Sequence, residues 1–176
     1  MARAPLKVLT RASMNNIEED LQRITLQEER LQFDHFDAQT AWELGSHLRE
    51  VAEARQLPIV IDIQLHGLPL FYFARQGTTP DNPEWVRRKR NIVRRFFRSS
   101  YAIGLMVKSE KLSLDALDAR DYAHHGGSFP IFLKGTGCVG TITVSGLPQR
   151  EDLSLVVEVV AAYLQKDVSD LSLSGA

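Results

Sequence analysis

Two short apolar segments bounded by glycines constrain the fold of this chain more than any other feature. Residues 129–133 and 138–144 have the length and the apolar, β-branched content of strands, and residues 134–137 (KGTG) supply the turn between them. Gly126 and Gly127 precede the first segment, and glycine permits the sharp backbone turn that such an entry requires. The pattern predicts a β-hairpin.

The exit from this hairpin predicts a helix whose N-terminus has two interpretations. Ser145 and Gly146 form a small-residue turn, Pro148 suits the first helical turn, and Glu151 and Asp152 follow in that turn. Free N–H groups at such a terminus suit a carboxylate or a phosphate. Alternatively, the acidic first turn satisfies the helix dipole without any ligand. No GxGxxG motif opens a helix and no phosphate-loop lysine is present, which argues against nucleotide binding.

Composition narrows the class of protein. The chain has 176 residues, which suits one domain, with 44% hydrophobic and 24% charged residues as in ordinary globular proteins. A net charge of −1 gives no overall attraction to nucleic acid or to membranes. No run of about 18 apolar residues exists, so no membrane span is predicted. Cys138 is the single cysteine and cannot form an internal disulfide, which suits a reducing, cytoplasmic location.

We divide the chain into three parts. Residues 1–15 are predicted to be a disordered N-terminal extension, because they are basic and lack the apolar segment of a signal peptide. Residues 16–166 form a single domain, and residues 167–176 a flexible polar tail.

Hydrophobic periodicity predicts the other elements of the domain. They are helices beginning at Asn16, Asp37 and Pro83, a short edge strand within 31–36, a hairpin of 58–65 and 68–74, a helix over 101–107, a short helix within 113–122 and a last helix over 150–165. The expected fold class is α/β (α+β), with an antiparallel sheet of about five strands and helices packed on its faces.

The hairpin over 58–74 places a carboxylate among aromatic residues. A two-residue turn at His66–Gly67 would set Ile63 opposite Leu70 and leave Asp62 on the reverse face. Such an aspartate is either hydrogen-bonded as part of the structure or has a raised pKa at a functional site. Both interpretations stay open.

The helix beginning at Pro83 has a strongly basic face. Its seven basic residues are Arg87, Arg88, Lys89, Arg90, Arg94, Arg95 and Arg98. They suit a solvated face with intersubunit salt bridges, a pocket for an anionic ligand, or a nucleic-acid surface; the near-neutral net charge argues against the last. Lys89 interrupts the apolar stripe between Trp85 and Ile92, so it is the basic residue expected to face a pocket.

The last helix is apolar almost all the way round, from Leu153 to Leu164. A helix of this kind must be buried on both sides. We therefore expect the sheet on one side and a partner subunit on the other, which predicts a homo-oligomer.

His124 and His125, just before the glycine pair, are the reactive side chains that the pattern singles out. Adjacent histidines in a turn do not converge on one point, and no HExxH or CxxC motif occurs, so no metal site is predicted. A triad of Ser145, His125 and Asp62 lacks the nucleophile-elbow pattern.

The combination of motifs resembles one family. The strings GGxFPI and GxGxVGxIxVSG are similar to the signature of the haem-degrading-domain superfamily, and DYAHHGGSFPI, TVSGLPQRED and NPEWVRRKRN resemble a cytoplasmic branch of it. The resemblance covers nearly the whole chain after about Asn16. It implies a profilin-like fold and a ring-like homo-oligomer built of dimers. In that branch a histidine often follows the acidic pair, where this chain has Leu153, so no role for that histidine transfers here.

Three functions follow as expectations. The first is an oligomer that binds haem or a small anionic ligand, with His125 as a candidate axial ligand of haem. The second is an enzyme on a small carboxylated or carbonyl metabolite with His125 as acid–base, and the third is an assembly protein without a small-molecule site. The candidate ligand-binding residues are His124, His125, Gly126, Gly127, Ser145, Gly146, Lys89 and Asp62.

Overall fold

The computed structural model describes residues 10–167 and 169–173, and within them five helices and five strands form one α/β unit. The helices are α1 (Arg11–Arg30), α2 (Ala38–Ala54), α3 (Asp81–Phe96), α4 (Ser100–Lys108) and α5 (Gln149–Tyr163). The strands are β1 (Gln32–Phe33), β2 (Val60–Leu65), β3 (Leu68–Ala74), β4 (Ser128–Leu133) and β5 (Gly137–Ser145). None of these helices is long and apolar enough to cross a membrane.

The five strands form one sheet in the order β1-β4-β5-β2-β3. Neighbours are antiparallel except β1 and β4, which pair in parallel at the edge. The predicted fold class is confirmed, and the sheet is antiparallel apart from its two-residue edge strand.

The hairpin of β2 and β3 contains a bulge that the predicted register missed. Leu65 pairs with Leu68 as expected, but Ile63 lies opposite Phe71 rather than Leu70. Leu70 is the extra residue of the bulge and has no partner in β2. The bulge moves Phe71 to the side of α2, where its ring lies 5.9 Å from that of Trp42.

One face of the sheet is apolar and packs against α2 and α5. Its buried side chains are Ile61, Ile63, Phe129, Ile131, Ile142 and Val144. α5 also belongs to a hydrophobic core that includes Ile24 of α1 and Leu171 of the C-terminal segment. The chain itself therefore buries the apolar sides of α5, so the predicted cover by a partner subunit is wrong as an argument for oligomerisation.

The opposite face of the sheet is polar and lies beneath α3. Its buried polar side chains are Asp62, Gln64, Ser128, Thr141, Thr143 and Ser145. Ser128 Oγ and Thr143 Oγ1 share a hydrogen bond of 2.8 Å that links β4 to β5. The basic side chains of α3 thus face a polar layer rather than a hydrocarbon core.

The two ends of the domain differ from their predicted boundaries. α1 begins at Arg11 because the hydroxyl of Thr10 accepts a hydrogen bond from the Ser13 amide, so residues 11–15 of the predicted extension are helical. Leu171 is buried and its carbonyl accepts a hydrogen bond from Gln27 Nε2, which differs from the predicted flexible tail over residues 169–173. Residues 1–9, 168 and 174–176 lie outside the described chain.

Two local predictions fail for identifiable reasons. Residues 113–122 form turns rather than a short helix. Phe97, expected in the buried stripe of α3, ends that helix with a φ of 52° and is 56% exposed. The left-handed backbone at this position turns its ring out of the helix stripe.

Candidate functional site

A cavity of about 300 Å³ lies where α3 meets the end of β5 and the start of α5. It brings together four of the eight predicted site residues, namely Lys89, His125, Ser145 and Gly146. The remaining lining residues are Thr79, Asp81, Asn82, Trp85, Leu147, Gln149 and Asp152. We call it the Lys89 cavity.

A buried ion pair forms its floor. Lys89 Nζ lies 2.8 Å from Asp152 Oδ2 and 3.3 Å from the carbonyl oxygen of Val144, and the side chains of the pair are 5% and 1% exposed. Asp152 Oδ1 accepts a hydrogen bond from the amide of Leu147. Burial raises the pKa of Asp152, while Lys89 and these amide hydrogen bonds oppose the rise.

Asp152 occupies two donors in the turn that precedes α5. Its carboxylate accepts a hydrogen bond from the N–H of Leu147 and interacts with that of Gly146, as the acidic first turn allowed. Those donors are therefore occupied by the chain itself. Because Asp81 also lines the cavity, the charge of Lys89 is balanced by carboxylates rather than left for a ligand.

The glycine pair shapes the site without lining it. Gly127 has a φ of 125°, and a Cβ there would lie 2.4 Å from the Val144 carbonyl oxygen and 2.9 Å from Lys89 Nζ. The Gly126 amide donates to Gln149 Oε1 at 3.2 Å. Both glycines let the chain pass close to the Lys89–Asp152 pair and to α5.

His125 presents its imidazole at the mouth of the Lys89 cavity. The ring is exposed and makes an edge-to-face contact with Trp85, with centroids 5.0 Å apart. The guanidinium of Arg88 lies over the Trp85 ring, 4.6 Å from its centroid. Partial burial, with His124 and the cations Lys89 and Arg88, lowers the pKa of His125, so the imidazole is neutral at neutral pH.

His124 lies on a different cavity that shares a wall with the first. This His124 cavity of about 280 Å³ is also lined by His125 and Gln149, and Lys108 stands at its rim. The two imidazole rings stack with centroids 5.5 Å apart. His125 therefore stands between two cavities, which the sequence did not indicate.

Asp62 lies apart from both cavities. Arg90 Nη1 donates to Asp62 Oδ2 at 2.8 Å, and Gln64 Nε2 donates to Asp62 Oδ1 at 3.2 Å. These two hydrogen bonds agree with the first interpretation of Asp62, that of a hydrogen-bonded residue that is part of the structure. The nominated triad of Ser145, His125 and Asp62 does not assemble, because Asp62 is engaged beneath α3 and does not line the cavity of the other two.

The basic face of α3 is largely neutralised within the chain. Of the seven basic residues predicted on this face, four form ion pairs, namely Arg87 with Asp121 and Glu84, Lys89 with Asp152, Arg90 with Asp62, and Arg98, two residues beyond the end of α3, with Glu28. These salt bridges join elements of one chain, where the sequence had suggested pairs between subunits.

Sequence reasoning missed Asp152, Trp85 and Gln149 as cavity residues. Asp152 had been considered only as a partner of the helix dipole, and Trp85 only as a core residue of α3. The helical spacing of Trp85 and Lys89, four residues apart on one face, was the signal that could have placed both at the same cavity.

The fold and this site together define an α/β protein with a polar cavity at the junction of a strand and a helix N-terminus. The chain belongs to the family of HbpS-like haem degrading proteins, whose family model matches residues 36–161. It is 57% identical to a UPF0303 protein of Rhizobium etli over 160 residues, covering 90% of this chain and 98% of that protein. A UPF0303 protein of Azotobacter vinelandii is 54% identical over 161 residues, covering 90% and 97%.

Solved structures show the same fold. The crystal structure of the Ybr137w protein matches with a TM-score of 0.75 and 29% identity, covering 82% of this chain and 87% of that one. HbpS matches with a TM-score of 0.60 and 19% identity, covering 76% and 92%. The PduOC:heme complex matches with a TM-score of 0.60 and 18% identity, covering 69% and 90%.

Proposed function

We propose that this chain is a cytoplasmic haem-binding protein that uses His125 as the iron ligand. The observation that carries the proposal is the exposed imidazole of His125, placed between two cavities. Membership of the HbpS-like family supports it, as does a fold shared with a protein that was crystallised with haem. The single cysteine suits the reducing compartment.

The protonation of His125 favours iron ligation. An imidazole binds a metal through a neutral ring nitrogen, and the pKa of His125 lies below its ordinary value of about 6.5. Neighbouring Lys89 and Arg88 lower it further by disfavouring a third positive charge. The ring is therefore ready to bind iron at neutral pH without first losing a proton.

The surroundings of His125 fit a planar group with carboxylate arms. The Lys89 cavity and the His124 cavity, about 300 and 280 Å³, lie on either side of the same imidazole. Trp85 provides an aromatic wall in the first, and Leu105 and Val107 provide apolar walls in the second.

Two cations are available for the carboxylate arms of the group. Lys108 is exposed at the rim of the His124 cavity and Arg88 lies over the Trp85 ring. Bound haem supplies an iron centre whose reactivity is set by its ligand and by the polarity around it. The residues of this chain would hold the group, with His125 ligating iron and Arg88 and Lys108 pairing with propionates.

Substitution of His125 tests the proposal directly. We expect hemin titration of the full chain to produce a Soret band that is lost, or weakened at least tenfold in affinity, in His125→Ala. His35→Ala is the matched control, because His35 is exposed and lies on the connection between β1 and α2. Absence of a Soret change with the unsubstituted chain, or equal binding by His125→Ala, would contradict the proposal.

The same titration has an expected pH dependence. Protons compete with iron for the imidazole nitrogen, so binding weakens as pH falls through the pKa of His125. Because that pKa is lowered, affinity should hold constant from pH 8 to the ordinary histidine value of about 6.5 and fall only below it.

A second candidate is an enzyme on a small carbonyl or carboxylated substrate, with His125 as acid–base. It is favoured by the Ser145 hydroxyl, which lines the Lys89 cavity and makes no hydrogen bond within the described residues. Turnover that disappears in both His125→Ala and Ser145→Ala, without a Soret band, would select this candidate. The third expectation, an assembly protein without a small-molecule site, predicts neither turnover nor a Soret band.

We also propose a homo-oligomer, supported by an unpaired sheet edge. β3 has no neighbour on its outer side within the described residues, and Leu68 and Tyr72 on it are 63% and 51% exposed. An open apolar edge strand is a template for pairing with another copy. Native mass spectrometry should show an even number of subunits, reduced in Leu68→Lys/Tyr72→Lys, whereas a monomeric unsubstituted chain would contradict it.

A further inference from the structure

We propose a second ligand site at the opposite end of α3, for a small monocarboxylate with a planar apolar body. A cavity of about 290 Å³ lies there, between the end of α3, the turn of the β2–β3 hairpin and the start of β5. Its lining residues are Gln64, His66, Gly67, Arg94, Phe97, Cys138, Val139, Gly140 and Thr141. We call it the Arg94 cavity, and it shares no residue with the cavities beside His125.

Arg94 supplies the charge that a carboxylate requires. Its guanidinium forms no ion pair within the described residues, and it lies against the hairpin turn, where a Cβ on Gly67 would be 3.5 Å from Nη2. No carboxylate of the described residues lines this cavity, in contrast to the Lys89 cavity. The nearby acids Asp62 and Glu28 are already paired with Arg90 and Arg98.

A planar guanidinium that lacks a partner suits a carboxylate in particular. The two oxygens of a carboxylate match two N–H groups of arginine in a bidentate pair. The remaining titratable groups on the cavity wall do not oppose an anion. His66 is exposed at the turn, and burial raises the pKa of Cys138, so its thiol is uncharged at neutral pH.

Thr141 supplies a hydrogen-bond donor within reach of the same ligand. The residue lines the cavity and is 1% exposed, and its hydroxyl oxygen is buried without a partner among the described residues. A buried hydroxyl without a partner is costly. Rotation about χ1 moves the hydroxyl to another staggered position, from which it can donate the missing hydrogen bond to a carboxylate oxygen in the cavity.

Phe97 defines the apolar part of the ligand. It holds a left-handed backbone, with a φ of 52°, and is 56% exposed at the cavity wall. The same conformation ends α3 and turns the ring out of the helix stripe, so the ring is accessible beside the cavity. With Val139, the ring offers a surface against which a planar body packs.

Benzoate is the probe, and benzamide, which has the same shape and no charge, is its matched control. We expect calorimetry on the full chain to show benzoate binding at least tenfold tighter than benzamide, because only benzoate forms a charged pair with Arg94. Equal affinity for the two probes, or no benzoate binding at millimolar concentration, would overturn the proposal.

Two arginine variants test whether benzoate binds in the Arg94 cavity. Arg94→Gln should weaken benzoate binding at least tenfold, while Arg95→Gln should leave it within twofold. Arg95 is the adjacent exposed arginine, and its guanidinium lies 5.9 Å from the Tyr122 ring, away from the Arg94 cavity. Equal loss in both variants would show a general charge effect and would reject the site.

The single cysteine gives a readout that needs no variant. Cys138 lies on the wall of the Arg94 cavity, so saturating benzoate should slow its alkylation by iodoacetamide severalfold, and benzamide should not. Unchanged alkylation at saturating benzoate would place the bound probe elsewhere. Because His125→Ala leaves this cavity intact, benzoate binding should survive it, which separates failure of this site from failure of the haem site.

Discussion

Lys89→Met is expected to lower the free energy of unfolding by about 3–5 kcal/mol at neutral pH, which is the usual cost of removing one partner from a buried ion pair. The change deletes the charge that faces Asp152, whose side chain is 1% exposed. The remaining carboxylate keeps its hydrogen bond from the Leu147 amide but loses its counter-charge. Urea denaturation of the variant and the unsubstituted chain measures the difference.

This deficit should shrink as pH falls. Burial already raises the pKa of Asp152, and removing the cation raises it further, since Lys89 had lowered it. A folded-state pKa above the unfolded one means that the folded chain binds the proton more tightly, so stability increases as pH falls through that pKa. We expect the stability of the variant to approach that of the unsubstituted chain as pH falls from neutrality towards the ordinary aspartate pKa of 3.8.

Two further variants isolate the pair. Lys89→Met/Asp152→Asn removes both charges, and Asn can still accept the hydrogen bond from Leu147, so most of the loss should be recovered. Lys111→Met is the exposed control, because Lys111 and Glu18 are 46% and 53% exposed and such a pair contributes about 0–1 kcal/mol. A loss of less than 1 kcal/mol in Lys89→Met would show that the pair does not hold α3 to α5.

Gly127→Ala is expected to lower the free energy of unfolding by about 2–6 kcal/mol for two separate reasons. The φ of 125° belongs to a region that a residue with a Cβ rarely enters, at a cost of about 1–3 kcal/mol. The new Cβ would also lie 2.4 Å from the Val144 carbonyl oxygen, a backbone atom of a central strand that cannot move freely. Overpacking of this kind costs about 1–3 kcal/mol more.

Gly135→Ala separates these two causes. Gly135 also has a positive φ, of 73°, but a Cβ there meets nothing within 4 Å. Only the cost of the backbone conformation applies, so the free energy of unfolding should fall by about 1 kcal/mol. Equal melting temperatures for the two alanine variants would mean that the close approach at Gly127 relaxes freely, and the account of the glycine pair given above would then be wrong.

The hairpins, the helices and the inward position of Lys89 could be predicted because local patterns encode them. The alternation of residues 60–65, the His66–Gly67 turn and the break that Lys89 makes in an apolar stripe each depend on spacing along one segment. The bulge at Leu70 could not be predicted in the same way. It is set by packing of Phe71 against α2, a contact between distant parts of the chain.

The structure brings four of the eight predicted site residues to one cavity and leaves His124, Gly126, Gly127 and Asp62 outside it. The four are Ser145, Gly146, His125 and Lys89. The balance of charge there depends on Asp152, whose partner Lys89 is 63 residues away in the chain. Sequence spacing carries no information about such a pair, so the two interpretations of the α5 terminus could not be separated from the sequence.

α5 shows the same limitation at the level of the whole domain. Its apolar circumference predicted burial on both sides, and this is what the structure shows. The pattern does not identify the partner that covers it, and the sheet, α2 and α4 pack against it within one chain. Periodicity determines how much of a helix is covered, whereas topology determines which element covers it.

The two faces of the sheet differ in what amino-acid substitutions on them would change during evolution. The α2–α5 side encloses a closely packed apolar layer, where a change of one methylene alters stability. The layer beneath α3 is held by hydroxyl, amide and carboxylate groups on β2 and β5, and both ends of α3 open into cavities. Substitutions at the cavity mouths, away from the buried Lys89–Asp152 pair, would change the shape and charge of the cavities while the apolar side preserves the fold.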